Sequence, residues 1–322
     1  MSKVKPIQQL KEILKIRIRD FLGISESKNN LSIRQDINNA GDFFKTIQAD
    51  CELLREISSN DDSQYLRMMD EFINGISELP YMKVHKKRFL YTFELLENLT
   101  SSATDKTIVD LGSWIAYVPV LRSIFPGNKF FLCMSDDLNT QADRLNLNLN
   151  NVDYGAFDLE IDPIPLADGS ASLVILLEVI EHFGQDPMFV MSEVNRVLVD
   201  GGKVLISTPN LASWRSLTAL LTHYSPYTYG KYIPGVPHGR HIHEYVPRDV
   251  SILLESAGFQ SSVWTKNVYH TASSKKLINT LEEWGLPVTD REDTIFAIGT
   301  KVSGVQNRYP LDLYDLDAMQ SS

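Results

Sequence analysis

Long apolar runs are missing from this chain of 322 residues, and with them any segment able to cross a bilayer as a helix. Its first residues also lack an apolar core ahead of a small-residue cleavage site, so the expected location is the cytoplasm. Cysteine is scarce. Cys51 and Cys133 are far apart and match no metal spacing, the pattern of buried free thiols in a reducing compartment. Basic residues are outnumbered, 31 lysines and arginines against 41 aspartates and glutamates, for a formal charge of −10. That balance excludes bulk nucleic-acid binding, because phosphate contact needs clustered lysine and arginine. Missing too is a G-x-G-x-x-G triplet between strand and helix. The corresponding stretch, residues 112–117, reads GSWIAY and counts against a dinucleotide-binding oxidoreductase.

What the chain does contain is concentrated in residues 157–210, FDLEIDPIPLADGSASLVILLEVIEHFGQDPMFVMSEVNRVLVDGGKVLISTPN. Residues 173–177 are five consecutive apolar side chains, as expected of a strand buried on both faces in the middle of a parallel sheet. Glu178, Glu181 and His182 follow directly, at the carboxyl end of that strand, where open α/β sheets bind their ligands. Asp186-Pro187 reads as a helix start, and Val190, Val194, Val197 and Leu198 make one apolar helical face. Gly201-Gly202 is expected to stop that helix, and residues 203–208 to form the next strand, completing a strand-helix-strand unit with a right-handed crossover.

The order of these pieces, an acidic pair, "DGS", a buried strand, "EVIEH", "RVL", a double glycine and "STPN", resembles class I S-adenosylmethionine-dependent methyltransferases. The resemblance covers about residues 105–303. It implies a Rossmann-like α/β fold with a seven-stranded, mostly parallel sheet and an antiparallel last strand. The expected organisation is a helical N-terminal extension (1–100), the methyltransferase domain (101–303) with an aromatic lid inserted at 213–245, and a tail (304–322).

The resemblance also implies residue roles. Asp110 and Gly112 fall at the family's first motif, where a glycine-rich turn brings backbone against the methionine part of the cofactor, S-adenosyl-L-methionine. Trp114 and Ala116 stand at the two other glycine positions, and so large a ring as Trp114 must point away from the cofactor or stack on it. Asp136, with Asp137 beside it, falls at the end of the next strand, where a carboxylate receives the ribose hydroxyls. Asp158 matches the acceptor of the adenine amino group, and Leu159 supplies a backbone amide and an apolar wall.

Glu178, Glu181 and His182 admit three readings. In a purely structural one, they end a strand, face solvent and pack at the sheet edge. In a second, His182 is the general base for an attacking hydroxyl, which suits a group that titrates near neutrality, with Glu178 and His241 completing the catalytic set. In a third, all three ligate Mg²⁺ or Mn²⁺, since residues at i, i+3 and i+4 share one side of a helical turn. A similar E-x-x-E-H arrangement occurs in class I methyltransferases that act on ribose hydroxyls of small RNAs and on polyprenyl catechols.

Four of the seven histidines, His223, His238, His241 and His243, lie in the segment 213–245 among Tyr224, Tyr227, Tyr229, Tyr232 and Tyr245. Rings with hydroxyls stack on sugars and hydrogen-bond to them, so the expected partner is a small-molecule or glycan acceptor. The pieces "SWRSL", "SPY" and "GRHIHEYVPRDV" also resemble bacterial methyltransferases associated with polysaccharide and lipid-linked glycan synthesis. A quinone precursor is the alternative acceptor, and a non-catalytic methyltransferase-like subunit the alternative to an enzyme.

Residues 3–22 carry six basic and two acidic side chains, a local charge of +4, with apolar residues near helical spacing. Such a helix either packs on protein or lies peripherally on an anionic membrane surface. Residues 25–40 read as a polar linker, and helical patterns follow from 42 to 99. Phe89 and Tyr91, within them, are candidates to shape the substrate pocket.

Overall fold

The computed structural model of the chain describes residues 64–72, 80–99, 106–112, 114–134, 152–232, 240–269 and 274–317. The basic segment 3–22, the linker 25–40, the helical pattern 42–57, Cys51, Asp136, Asp137 and His238 lie outside these residues.

One seven-stranded sheet organises the structure, in the order β3-β2-β1-β4-β5-β7-β6. Its strands are β1 (Thr107–Leu111), β2 (Phe130–Met134), β3 (Val152–Ala156), β4 (Ala171–Leu177), β5 (Leu198–Pro209), β6 (Phe259–Lys266) and β7 (Thr294–Lys301). β3, β2, β1, β4 and β5 run parallel, and β7 pairs antiparallel with both β5 and β6. β4 lies between β1 and β5 with every residue buried, which is why its sequence does not alternate. The expected fold is the observed one.

The central strands feed two apolar layers, because successive side chains leave opposite faces. Ile108, Leu173, Ile175 and Leu177 join one layer with Met69 of α1 (Gln64–Phe72), Phe89, Phe93 and Leu96 of α2 (Pro80–Asn98), and Val120 and Leu121 of α3 (Val118–Ile124). Val109, Leu111, Val174 and Leu176 join the other with Val190 and Val194 of α4 (Pro187–Val197). The same layer takes Val250, Leu253 and Leu254 of α6 (Pro247–Ser256). A shorter helix, α5 (Trp214–Leu221), precedes α6, and α7 (Lys275–Glu283) follows β6. The run carrying Phe89 thus shares a core with one sheet face. No helix among the described residues is long and apolar enough to cross a membrane.

α4 starts as expected: Asp186 accepts the Phe189 amide at 3.1 Å and Pro187 takes the first helical position. Its end differs. The helix stops at Val197, and Gly201-Gly202 lies inside β5, not at a helix terminus. The register pairs Ala171 with Leu198 and then Leu173 with Lys203, so the glycines sit in a bulge. Gly201 has φ +75°, and a Cβ on Gly202 would stand 2.8 Å from the Val199 carbonyl oxygen. β6 ends at Lys266. Asp293 takes the amides of Val268 and Tyr269, each at 2.9 Å, and turns that segment away from β7.

Candidate active site

The strand order reverses between β1 and β4, opening a crevice at the carboxyl ends of the parallel strands. There lies a cavity of about 550 Å³. Its wall is built from the turns after four strands: Gly112, Cys133, the run 156–160 and the run from Glu178 through Val179 to His182 and Phe183. Asp158, Glu160 and Glu178 make the wall acidic, and among the described residues neither lysine nor arginine lines it.

Gly112 has φ +78°, and a Cβ there would fall 2.5 Å from Cγ2 of Val179. Glycine is therefore required both by the left-handed backbone and by the opposite wall. Asp110 is buried beneath this turn. The side chains of Trp114 and Ala116 do not line the cavity. Ala116 is buried in the helical layer, and the Trp114 ring meets Tyr81 at 5.4 Å, Phe89 at 5.5 Å and Tyr117 at 6.1 Å. Rings on α2 and at the cap of α3 offer the indole more contact than an acidic cavity, so it turns away from the cavity.

Across the cavity, Asp158 and Leu159 both reach the wall. Asp158 Oδ1 accepts the Glu160 amide at 3.0 Å. Glu160, a residue the motif reading passed over, accepts the amides of Gly184 at 2.8 Å and Gln185 at 2.6 Å. It thereby ties the turn after β3 to the turn after β4. Cys133 is a buried free thiol, and burial pushes its pKa up to about 12, so it is inert.

β4 ends in a residue with unusual backbone. Glu178 has φ +58°, a conformation that costs a non-glycine residue roughly 1 kcal/mol or more, and its amide still bonds the Ser207 carbonyl at 2.8 Å. Its side chain is held by Ser207 Oγ at 2.8 Å and Tyr269 OH at 3.3 Å. Both carboxylate oxygens are engaged there, and Glu178 does not converge with Glu181 and His182 on one ion as the spacing alone had implied. The residues after β4 form a 3₁₀ turn, Ile180–His182, which rotates each side chain further than an α-turn would.

The third member of the cluster is His241, from far along the chain. Ligand atoms of Glu181, His182 and His241 all lie within 4.8 Å of one another. The amides of Ile242 and His243 bond the Glu181 carbonyl at 2.8 and 3.1 Å, which brings the His241 segment over the turn after β4. His182 Nδ1 lies 3.1 Å from the Arg240 carbonyl. A carbonyl can only accept, so Nδ1 carries the proton and Nε2 is the basic nitrogen. Glu244 Oε1 lies 2.7 Å from His241 Nδ1 and orients that ring in the same way, aiming Nε2 at Glu181 Oε1, 3.8 Å away. Glu181 is wholly buried: Oε2 accepts from Thr208 at 2.9 Å and Oε1 has no hydrogen-bond partner among the described residues. Burial, and after it the charge of Glu178, raises the Glu181 pKa well above the usual carboxylate range.

The Tyr229 ring lies 5.9 Å from the His241 ring. The His241 amide bonds the Tyr229 carbonyl at 2.8 Å, and Tyr224, Tyr229 and Tyr232 are exposed. The Arg240 guanidinium stands 4.5 Å over the Tyr232 ring. Phe89 and Tyr91 do not shape the cavity: Phe89 is core, and Tyr91 OH accepts from Trp264 Nε1 at 3.0 Å.

The parallel sheet with an antiparallel β7 and the ligand crevice at its switch point define a Rossmann-like domain of the methyltransferase type. A family model described as "Methyltransferase domain" matches residues 85–262, more than half of the sequence, and the chain belongs to that family. A Mycolicibacterium smegmatis protein bearing the name "Probable S-adenosylmethionine-dependent methyltransferase" is 36% identical over 114 residues, 35% of this chain and 38% of that protein. The matched part thus spans well under half of that relative's length. Among solved structures, an Archaeoglobus fulgidus SAM dependent methyltransferase is 14% identical with a TM-score of 0.44, covering 74% of this chain and all of that one. A Mesorhizobium loti S-adenosylmethionine dependent methyltransferase is 15% identical with the same TM-score of 0.44, covering 65% of this chain and 96% of that one.

Proposed function

We propose that the chain is an S-adenosylmethionine-dependent methyltransferase acting on a hydroxyl of a sugar or glycan intermediate. The observation that carries the cofactor reading is the cavity itself, an acidic crevice whose described lining includes Gly112, Asp158 and Glu178 and neither lysine nor arginine. Such a wall favours a cationic ligand and disfavours a pyrophosphate. When bound, the cofactor supplies a methyl carbon activated by an adjacent sulfonium. The Gly112 turn would admit its methionine portion, Asp158 and Leu159 would hold the adenine, and Asp136 would hold the ribose. His182 would take the acceptor's hydroxyl proton on Nε2. A non-catalytic scaffold is disfavoured, because Trp114 packs away from the cavity instead of filling it.

The acceptor class rests on the exposed Tyr224, Tyr229 and Tyr232 in the segment joined to His241, an arrangement suited to stacking on sugar rings. A second reading has a specific observation behind it, the buried, unpartnered Oε1 of Glu181 beside two oriented imidazoles. Glu181, His182 and His241 would then hold Mn²⁺ or Mg²⁺, which would bind vicinal acceptor oxygens and lower a hydroxyl pKa.

Calorimetric titration with S-adenosylmethionine and S-adenosylhomocysteine, with and without Mn²⁺ or Mg²⁺, tests the cofactor reading. Micromolar affinity is expected, and no detectable heat for either ligand refutes it. Turnover of nucleotide sugars or glycan extracts then tests the acceptor, and activity that survives EDTA and gel filtration excludes the metal.

A further inference from the structure

The segment that carries the exposed tyrosines is basic in an acidic protein. Residues 213–245 hold Arg215, Lys231 and Arg240 against a single carboxylate, Glu244, in a chain of formal charge −10. Glu244 is buried and already occupied, because its Oε1 takes both the Thr228 amide and His241 Nδ1. Arg215 is occupied as well, donating to the carbonyls of Pro226 at 2.7 Å and Tyr227 at 3.3 Å. Arg240 differs. Arg196, Arg248 and Arg308 each bond a carboxylate, whereas the Arg240 guanidinium bonds no acceptor among the described residues and sits 4.5 Å over the Tyr232 ring. A cation–π contact takes up no N–H donor, so the fork stays available. Tyr232 is 81% exposed, which puts this stack within reach of a ligand from solvent.

The same residue stands at the reacting end. Its carbonyl lies 3.1 Å from His182 Nδ1, so the guanidinium is one side chain's length from the backbone atom that orients the base. The cavity wall that His182 shares is acidic, with Asp158, Glu160 and Glu178. Charge therefore divides the site, with negative side chains on the crevice and a free cation on the segment beside it. We infer that the acceptor carries a phosphate, received by Arg240 seated on Tyr232. The inference rests on the methyltransferase reading above and narrows its acceptor to a phosphorylated sugar, free as a nucleoside diphosphate sugar or linked to a lipid. The arginine fork matches a phosphate in two-point contact. Lys231, exposed and next to Tyr232 in the chain, adds a second cation with no carboxylate partner among the described residues, which favours phosphate over the smaller charge of a carboxylate. Three carboxylates on the wall repel the same group, so the acceptor enters with its phosphate outward and its hydroxyl toward His182.

The test is calorimetry on the full chain with S-adenosylhomocysteine present, using uridine diphosphate glucose, pyrophosphate and glucuronate as probes, and phosphatidylcholine vesicles containing polyprenyl phosphate as the lipid source. Phosphate probes are expected to bind, more weakly as salt rises, and Arg240→Gln to weaken them roughly 10-fold with S-adenosylhomocysteine affinity unchanged. Tyr232→Leu, which leaves the cation but removes its seat, is expected to show a smaller loss of the same kind and serves if the glutamine variant does not fold. Preference for uridine diphosphate glucose identifies a nucleotide sugar and preference for the vesicles a lipid-linked one; both support the inference. No binding of any phosphate probe by the unaltered protein, a loss below about twofold in Arg240→Gln, or tighter binding of glucuronate than of pyrophosphate overturns it. S-adenosylhomocysteine binding, measured on the same samples, judges the methyltransferase reading separately. A chain that binds phosphate probes but not S-adenosylhomocysteine refutes that reading, and with it the assignment of the phosphate to a methyl acceptor.

Discussion

Gly112→Ala measures how tightly the cavity's two sides are built against each other. Two costs add. An L-residue at φ +78° sits in left-handed backbone, worth about 1 to 2 kcal/mol against it. The new Cβ would also stand 2.5 Å from Cγ2 and 3.2 Å from Cγ1 of Val179, and overpacking of this kind costs about 1 to 3 kcal/mol. The expected loss is about 2 to 5 kcal/mol. Val179→Ala removes both offending methyls and by itself costs about 2 kcal/mol for the buried atoms lost. In the double variant the clash disappears and the backbone cost stays, so the pair should be about 1 to 3 kcal/mol more stable than the sum of the singles. Urea unfolding followed by tryptophan fluorescence gives the four free energies of the cycle. Additivity to within about 0.5 kcal/mol would refute the claim that Val179 is what excludes a side chain at residue 112.

Asp136→Ala should weaken cofactor binding by about 1 to 3 kcal/mol in calorimetry, and unchanged affinity would end the ribose assignment. His182→Ala should abolish turnover while leaving cofactor affinity nearly intact; activity close to that of the unaltered protein would return the proton to another acceptor. Glu181 makes stability depend on pH. Burial and the Glu178 charge raise its folded-state pKa, so the folded chain keeps a proton that the unfolded chain releases above the ordinary carboxylate range. The stability this group contributes is therefore complete below the ordinary carboxylate pKa and is lost as pH rises through the raised value. Glu181→Gln cannot ionise, and its thermal midpoint relative to the parent should rise from pH 5 to pH 8. A constant difference across that range would show that the carboxyl is ionised throughout.

Local sequence determined the elements. Seven-residue burial makes β4 unmistakably apolar, Asp186-Pro187 encodes its own cap, and the motif order across residues 157–210 carries the sheet topology. Gly112 and Glu178 follow strands that the apolar pattern exposes, whereas Asp158 was legible only through the family resemblance. Tertiary structure decided the rest. A spacing of three and four residues placed Glu178 with Glu181 and His182, but a left-handed backbone at Glu178 and a 3₁₀ turn after it send that side chain to Ser207 and Tyr269. His241 replaces it through amide bonds to the Glu181 carbonyl across some sixty residues of chain, a closure that no local pattern records. Trp114, alarming in a glycine turn, becomes harmless only because α2 supplies rings for it to pack on. Arg88 reads as one more basic residue on a helix until folding buries it with Nη2 3.0 Å from Tyr81 OH. Backbone preference and apolar periodicity act over a few residues and are written in order along the chain. The pairing of charges and hydrogen bonds depends on which distant atoms share a volume, and only the packed structure sets that.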